Sequence, residues 1–255
     1  MTDPVYRTGQ FVWREIMTTD PAATLRFYGE LFGWKHSTTD MPGGAAYTMF
    51  SVGETAVAGC MKSPVEGVPA HWLMSVSVDD IDGTAAAATQ AGASLRVPPM
   101  AAGDMGRFAV MADPQGAVFG IWHGNAGDGE RAPDARPGLG EFCWEQLNTT
   151  DPKASGDFYR RALGWSEAPF GGGGGMDVFK HGEAQVASRM QTPPGVPAHW
   201  LTYVVVDALS SANTRVAQQG GKVMVEKIEI PTVGSISVIE DNVGAVLGLF
   251  EMPKG

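Results

Sequence analysis

The 255-residue chain carries 18 basic and 28 acidic residues, which give it a net charge of -10. A surface that neutralises phosphates needs the opposite sign, and no apolar run approaches the ~20 residues that span a bilayer, so neither nucleic acid nor a membrane is expected as a partner. Cys60 and Cys143 are the only cysteines, and no secretory signal is visible, which favours a reduced, cytoplasmic setting.

The first predicted elements are a strand and a helix. Phe11–Met17 alternates between apolar and polar residues and is bounded by turn residues, as in a half-buried strand. Asp20 then occupies an N-cap position, with Pro21 at the first helical position. Gly33 follows an apolar helical stripe and ends the predicted helix.

A hairpin and a second strand–helix cycle complete the first half of the chain. Gly53-Glu54 separates the two hairpin strands, Tyr47–Val52 and Thr55–Met61. The second cycle is predicted as a strand at Trp72–Val78, a helix from Asp80 to Ala91, and strands near Leu95, at Arg107–Ala112 and at Ala117–His123. The pattern is therefore βαβββ, used twice.

The second half of the chain repeats the first. Thr19-Asp20-Pro21 recurs as Thr150-Asp151-Pro152, and the segment GVPAHWL at 67–73 recurs letter for letter at 195–201. The spacing between the copies changes only in predicted loops, which indicates one duplicated unit. The sequence therefore predicts two homologous α+β domains, at 1–124 and 141–255, joined by a Gly/Pro-rich linker at 125–140.

A run of five glycines, Gly171–Gly175, lies between predicted elements of the second copy. A phosphate-cradling loop would need Lys-Ser/Thr after the glycines and a helix beginning there, and the sequence has neither. We therefore expect a flexible loop at the mouth of a cleft.

Three segments carry a family resemblance: WREIMTTDPAATLRFYGELFGW, HWLMSVSVDDID and DPQGAVFGIWH. They resemble the vicinal oxygen chelate superfamily, which includes glyoxalase I, bleomycin resistance proteins and extradiol dioxygenases. The Trp-x-Glu-x-x-Thr-x-Asp opening is most similar to a tandem-domain, glyoxalase-like actinobacterial group that includes a mycobacterial antigen and relatives labelled "hydroxylase". The resemblance covers about 11–123 and 142–251. It implies that each pair of modules forms a curved, partly open sheet whose concave face holds a ligand.

In metal-dependent relatives, the resemblance implies three or four His, Glu or Gln ligands on that concave face. The corresponding positions are Trp13, Leu73 and Gly120 in the first copy, and Trp144, Leu201 and Gly248 in the second. None of these side chains can ligate a metal. A shifted site using Glu15 and His71 would still lack a third protein ligand. We therefore expect neither a metal site nor a cofactor.

Glu15 and His71 are the candidate catalytic residues. Glu15 is two residues beyond Trp13, and His71 is two residues before Leu73, so strand alternation places each on the expected concave face. An inward-facing carboxylate must be hydrogen-bonded or solvated, which marks Glu15. His71 has a second interpretation, in which it only caps the entry of its strand.

Seven further residues are candidate ligand-binding residues. Trp13 and Trp144 are either core aromatics or stacking platforms for a flat ligand. Cys60 is either a ligand contact or a small core residue, and Arg107 is either an anion-binding or a solvated residue. The complete set is Trp13, Tyr47, Cys60 and Arg107 in the first domain, and Trp144, Gln146 and His199 in the second.

Three functions remain open on this sequence. The first is metal-free binding of a small aromatic or amphipathic metabolite or antibiotic, in the manner of bleomycin-resistance relatives. The second is a metal-independent isomerase, cyclase or lyase with Glu15 as general base. The third is a glyoxalase-type metal lyase acting on methylglyoxal adducts. In each case the partner is a small molecule, and the two domains are expected to pair within a monomer or a homodimer.

Overall fold

The computed structural model describes residues 4–41, 44, 46–129, 136–171 and 176–253. Residues 172–175 of the predicted glycine loop and residues 130–135 of the predicted linker lie outside this range. Within the described residues, no helix is both long and apolar enough to cross a membrane.

Within the described residues, each half of the chain forms eight strands and two helices in the same order. The elements of the first half are β1 (Phe11–Thr18), α1 (Pro21–Phe32), β2 (Lys35–Asp40), β3 (Ala46–Val52), β4 (Thr55–Lys62), β5 (His71–Ser77), α2 (Ile81–Gln90), β6 (Ser94–Ala101), β7 (Gly106–Ala112) and β8 (Val118–Gly124). Those of the second half are β9 (Phe142–Thr149), α3 (Pro152–Leu163), β10 (Ser166–Pro169), β11 (Asp177–His181), β12 (Ala184–Gln191), β13 (His199–Val206), α4 (Leu209–Gln218), β14 (Lys222–Ile230), β15 (Gly234–Glu240) and β16 (Val246–Glu251).

The strands form two eight-stranded sheets, one from each half of the chain. The first has the order β2-β3-β4-β1-β5-β8-β7-β6, and the second repeats it as β10-β11-β12-β9-β13-β16-β15-β14. In each βαβββ module the first strand pairs in parallel with the last, as β1 does with β4, while the hairpin strands pair antiparallel. The predicted α+β fold with two tandem copies of paired modules is confirmed.

Local signals define the first helix of each copy. The Asp20 side chain accepts a hydrogen bond from the Ala23 amide at 3.0 Å, and Pro21 opens α1. Gly33 ends the helix with a φ of 72°, a left-handed conformation that glycine adopts without steric cost. The helix buries one face, which includes Phe27 and Tyr28. The predicted helix start at Pro21 and stop at Gly33 are confirmed.

Packing separates the chain into two compact units, each built from parts of both halves. One contains α2 and α3 with β6–β8 and β10–β12, and the other contains α1 and α4 with β2–β4 and β14–β16. In the first of these units α2 packs on α3, and in the second α1 packs on α4. The boundaries drawn from the sequence at 1–124, 125–140 and 141–255 stay a prediction.

A buried hydrogen-bond network joins distant parts of the chain in the unit that contains α1. The Tyr28 hydroxyl donates to an Asp241 carboxylate oxygen at 2.8 Å and accepts from the Trp72 indole at 3.0 Å. The other unit repeats this arrangement with Tyr159, Asp113 and Trp200. Each aspartate also accepts hydrogen bonds from backbone amides of its own turn, so these buried polar groups are satisfied.

Candidate functional site

A chain of hydrogen bonds runs across one face of the first sheet, within a single compact unit. The Trp13 indole on β1 donates to the Tyr47 hydroxyl on β3, with 3.1 Å between Nε1 and Oη. The Tyr47 hydroxyl is in turn hydrogen-bonded to the Glu15 side chain on β1. A phenol has one proton, so Tyr47 accepts from Trp13 and donates to Glu15. Trp13 and Glu15 therefore lie on one face of β1, as strand alternation requires.

Gly59 on β4 makes room for this arrangement. It is the direct cross-strand neighbour of Glu15. A Cβ atom at Gly59 would lie 2.9 Å from Oε1 of Glu15 and would overlap the Tyr47 hydroxyl. The carboxylate and the phenol therefore meet directly above the glycine backbone, in space that any other residue would fill. The sequence alone does not predict a role for Gly59.

Burial changes the acidity of both groups. It raises the pKa of Glu15 above its ordinary value, and the hydrogen bond from Tyr47 only partly opposes this shift. Burial also raises the pKa of Tyr47, as does the neighbouring Glu15 charge, so the phenol keeps its proton and remains a donor. The result is a carboxylate with increased basicity, positioned by a neutral donor.

In the second sheet the equivalent side chains bond to one another. Nε2 of Gln146, which replaces Glu15, donates to Oδ1 of Asn148 at 2.7 Å and to the Met190 sulfur at 2.9 Å. Nδ2 of Asn148 lies 3.2 Å from Nε2 of His199. Ser188 stands opposite Gln146 in the position of Gly59. The second copy therefore has an amide where the first has a carboxylate, and its polar groups satisfy one another.

His71 opens β5, the neighbour of β1 in the sheet. Its Nδ1 lies 2.8 Å from the Pro69 carbonyl. A carbonyl only accepts, so Nδ1 carries a proton and donates it to this bond. His199 has the same geometry with Pro197, and its Nε2 faces the Asn148 amide. The residue that corresponds to Asn148 is Met17, which cannot donate a hydrogen bond.

The structure places three other candidate residues away from this chain of hydrogen bonds. Cys60 follows Gly59 on β4, so its side chain points to the opposite face, where it is 1% exposed. Burial raises the pKa of its thiol to about 12. Arg107 is exposed and pairs with Asp82. Trp144 lies on β9, in the second sheet, and is partly exposed. Ligand-binding roles for these three residues stay predictions.

The donor set does not fit the divalent ion of metal-dependent relatives. The inherited ligand positions carry Trp13, Leu73 and Gly120, whose side chains offer no lone pair suited to a metal. Throughout the part of the chain that the structure describes, no group of three or more His, Cys, Asp or Glu side chains is placed to hold an ion. No chemical step is therefore assigned to a metal.

Comparison with known proteins places the chain in a family. Residues 12–122 match the model of a glyoxalase-like domain. The chain is 33% identical over 253 residues to the "Putative glyoxylase CFP32" of Mycobacterium tuberculosis, with 96% of each chain covered. The chain belongs to the glyoxalase-like proteins of the vicinal oxygen chelate superfamily. The family resemblance stated from the sequence is confirmed.

Two further comparisons bear on this glyoxalase-like protein. It is 28% identical over 267 residues to the "Anthracycline biosynthesis protein DnrV" of Streptomyces peucetius, covering 98% of this chain and 96% of that one. Its fold is similar to that of the Mn(II)-bound glyoxalase from Novosphingobium aromaticivorans, with a TM-score of 0.65 at 14% identity, covering 97% of this chain and 83% of that chain. At this identity the structural match supports the fold alone.

Proposed function

We propose that this glyoxalase-like protein binds a small planar aromatic molecule at the face formed by Trp13, Glu15 and Tyr47, without the metal ligands of its metal-dependent relatives. The observation that carries the proposal is the hydrogen-bonded chain from Trp13 through Tyr47 to Glu15, above Gly59. These hydrogen bonds fix the Glu15 carboxylate, while the Trp13 indole stays partly exposed.

The chemistry of these side chains favours a flat ligand with a hydroxyl group. An indole face is a stacking surface for an aromatic ring. The carboxylate accepts hydrogen bonds only, and a bond from a ligand hydroxyl to a charged oxygen is stronger than one between neutral groups. Anthracyclines, whose biosynthesis is named in one relative, are planar polycyclic molecules with phenolic hydroxyls. They belong to the ligand class that we propose.

The proposal is tested by titration with 2-hydroxyanthraquinone at pH 6, followed by quenching of tryptophan fluorescence. We expect saturable binding, and weaker binding of anthraquinone, which has the same rings but no hydroxyl. Glu15→Gln keeps the shape and removes the charge, so it should weaken binding by about 1–3 kcal/mol. Gln146→Glu changes the equivalent residue of the second sheet and is the matched control. Equal binding by wild type and Glu15→Gln would contradict the proposal.

A second function is favoured by the raised pKa of Glu15. A carboxylate made more basic by burial suits removal of a proton next to a carbonyl group. In that reaction Glu15 takes the C–H proton, the electron pair moves onto the carbonyl oxygen as an enolate, and a proton returns to carbon. Exchange of the α-protons of 2-tetralone in heavy water, followed by NMR, tests this function. Glu15→Gln should slow enzyme-dependent exchange by roughly 10²–10⁴-fold.

We also propose that the protein works in a reducing cytoplasm. Cys60 and Cys143 are both free thiols, and a protein exposed to oxidising conditions more often pairs its cysteines.

A further inference from the structure

A cavity lies in the compact unit that contains α2 and α3. Its volume is about 610 Å³, and it lies between α3 and the short strand β10. Three cationic side chains line it: Lys153, Arg160 and Arg189. Trp165 also contributes to the wall. Two acidic side chains, Asp157 and Glu167, also line it, and each pairs with one of the arginines.

Arg189 on β12 is the buried cation of this cavity. It is 5% exposed, and its Nη2 donates to Glu167 at 2.8 Å and to Asp177 at 2.7 Å. Its Nε and Nη1 atoms have no hydrogen-bond acceptor among the described residues. The guanidinium keeps its charge at any physiological pH, so these remaining N–H groups are buried donors without acceptors. One face of the guanidinium lies over the Phe179 ring, 5.3 Å from its centroid.

Glu167 occupies the position where a ligand could approach Arg189. A Cβ atom at Gly156 of α3 would overlap both Oε1 of Glu167 and Nη1 of Arg189. The two side chains therefore converge on the space that this glycine leaves open. The Glu167 side chain is 36% exposed, so it can turn outward into solvent. That movement would open the space beside Nη1.

The first copy of the fold differs at the two positions held by Gly156 and Arg189. Leu25 stands at the position of Gly156, and Cys60 stands at the position of Arg189. Cys60 is 1% exposed. The second copy therefore has a glycine where the first has a leucine, and a buried arginine where the first has a cysteine. This exchange creates a charged cavity in a place that the same fold can fill with apolar side chains.

We propose that this cavity binds a small organic carboxylate, which replaces the Glu167 carboxylate at Arg189. Its oxygens take the space above Gly156 and accept from the Nη1 donor that lacks an acceptor. Lys153 at the rim adds favourable charge, whereas Arg160 is already paired with Asp157. The body of the ligand lies against the wall to which Trp165 contributes. The site is separate from the proposed aromatic-binding face and does not depend on it.

Benzoate is the probe, and ligand-observed NMR titration is the measurement. Benzoate should bind at least about tenfold more tightly than benzamide, its neutral analogue of the same shape, because one charge-assisted hydrogen bond is worth about that factor. Glu167→Gln removes the competing charge and should tighten benzoate binding about tenfold. A purely structural Glu167 would give no gain. A stronger response to inorganic phosphate than to benzoate would overturn the assignment to a carboxylate.

The double variant Gly156→Leu with Arg189→Cys tests the cavity itself. It installs the residues that the first copy uses at these positions, so the fold has a known way to accommodate them. Benzoate binding should disappear while circular dichroism still shows a cooperative melting transition. Lack of benzoate binding by the wild type, or unchanged binding by the folded double variant, would overturn the proposal. If the double variant does not fold, the response to Glu167→Gln alone decides.

Discussion

Among single residues, the site depends on the Glu15 carboxylate and on Gly59, which has no side chain. Glu15 would be an expensive group to bury without a donor, and Tyr47 supplies that donor. Tyr47 reaches Glu15 only because Gly59 has no Cβ. In the second copy the equivalent positions hold Gln146 and Ser188, and the carboxylate–phenol contact does not form.

Gly59→Ser should therefore weaken the site. The added Cβ would overlap the Tyr47 hydroxyl, and a shifted phenol leaves the partly buried Glu15 without its donor. We expect the free energy of unfolding to fall by about 1–3 kcal/mol, measured by urea denaturation, together with weaker binding of 2-hydroxyanthraquinone. Ser188→Gly makes the reverse change in the second sheet, and its binding should match the wild type. Full binding by a folded Gly59→Ser variant would show that the Tyr47–Glu15 contact is unimportant.

The raised pKa of Glu15 predicts a pH-dependent difference in stability. A carboxyl group whose pKa is higher in the folded state than in the unfolded state favours folding when it is protonated, and this contribution is lost as pH rises from its ordinary value of 4.5 through the folded pKa. Glu15→Gln has no such titration. The melting temperature of Glu15→Gln relative to wild type should therefore increase as pH rises from about 4 to 7. A constant difference over this range would contradict the shift.

At the scale of elements, the sequence predicts what short-range signals determine. Asp20, Pro21 and Gly33 define α1 because capping and helix termination act over a few residues. The polar segment Lys35–Asp40 has no apolar alternation to reveal it, so its range was not predicted. All six of its residues are exposed, and it forms a strand by pairing with β3.

In the candidate site, too, some features follow from short-range signals and others depend on the pairing of distant strands. Alternation along β1 predicts that Trp13 and Glu15 share a face, and the structure agrees. The role of Gly59 depends on β4 lying beside β1, a pairing between strands far apart in sequence. Gly59 and Ser188 occupy equivalent positions of the two copies, and only the sheet order shows the consequence of that difference. The inclusion of His71 in the same ligand site stays a prediction.

The hydrogen bond from Tyr28 of α1 to Asp241, in the turn before β16, should contribute measurably to the free energy of unfolding. Tyr28→Phe removes the hydroxyl that donates to the buried Asp241 and accepts from Trp72. Two buried polar groups then lose a partner, so we expect a loss of about 1–3 kcal/mol in the free energy of unfolding. Tyr6→Phe at a partly exposed tyrosine is the control and should change stability by less than about 0.5 kcal/mol. A loss for Tyr28→Phe no larger than that of the control would argue against the network.

At the scale of the whole molecule, each compact unit takes its helices from both halves of the chain. Helix α1 packs on α4 in one unit, and α2 packs on α3 in the other. Either half of the sequence alone would therefore expose the helix faces that the other half covers in the full chain.

Expression of residues 1–124 alone tests this consequence. The fragment should not be a cooperatively folded monomer, because α1 and α2 both lack the helix against which they pack. Mixing it with residues 141–255 should restore a cooperative melting transition in circular dichroism, and size-exclusion chromatography should show a complex. A monomeric 1–124 fragment that melts cooperatively by itself would contradict the expectation.

One chain should bind one aromatic ligand, at the Glu15 face of the first sheet. Isothermal titration calorimetry with 2-hydroxyanthraquinone measures this stoichiometry. In the second sheet Gln146, Asn148 and His199 bond to one another, so we expect one ligand per chain, with binding weakened by Glu15→Gln and unaffected by Gln146→Glu. Two equivalent ligands per chain, or one ligand whose affinity ignores Glu15→Gln, would contradict it.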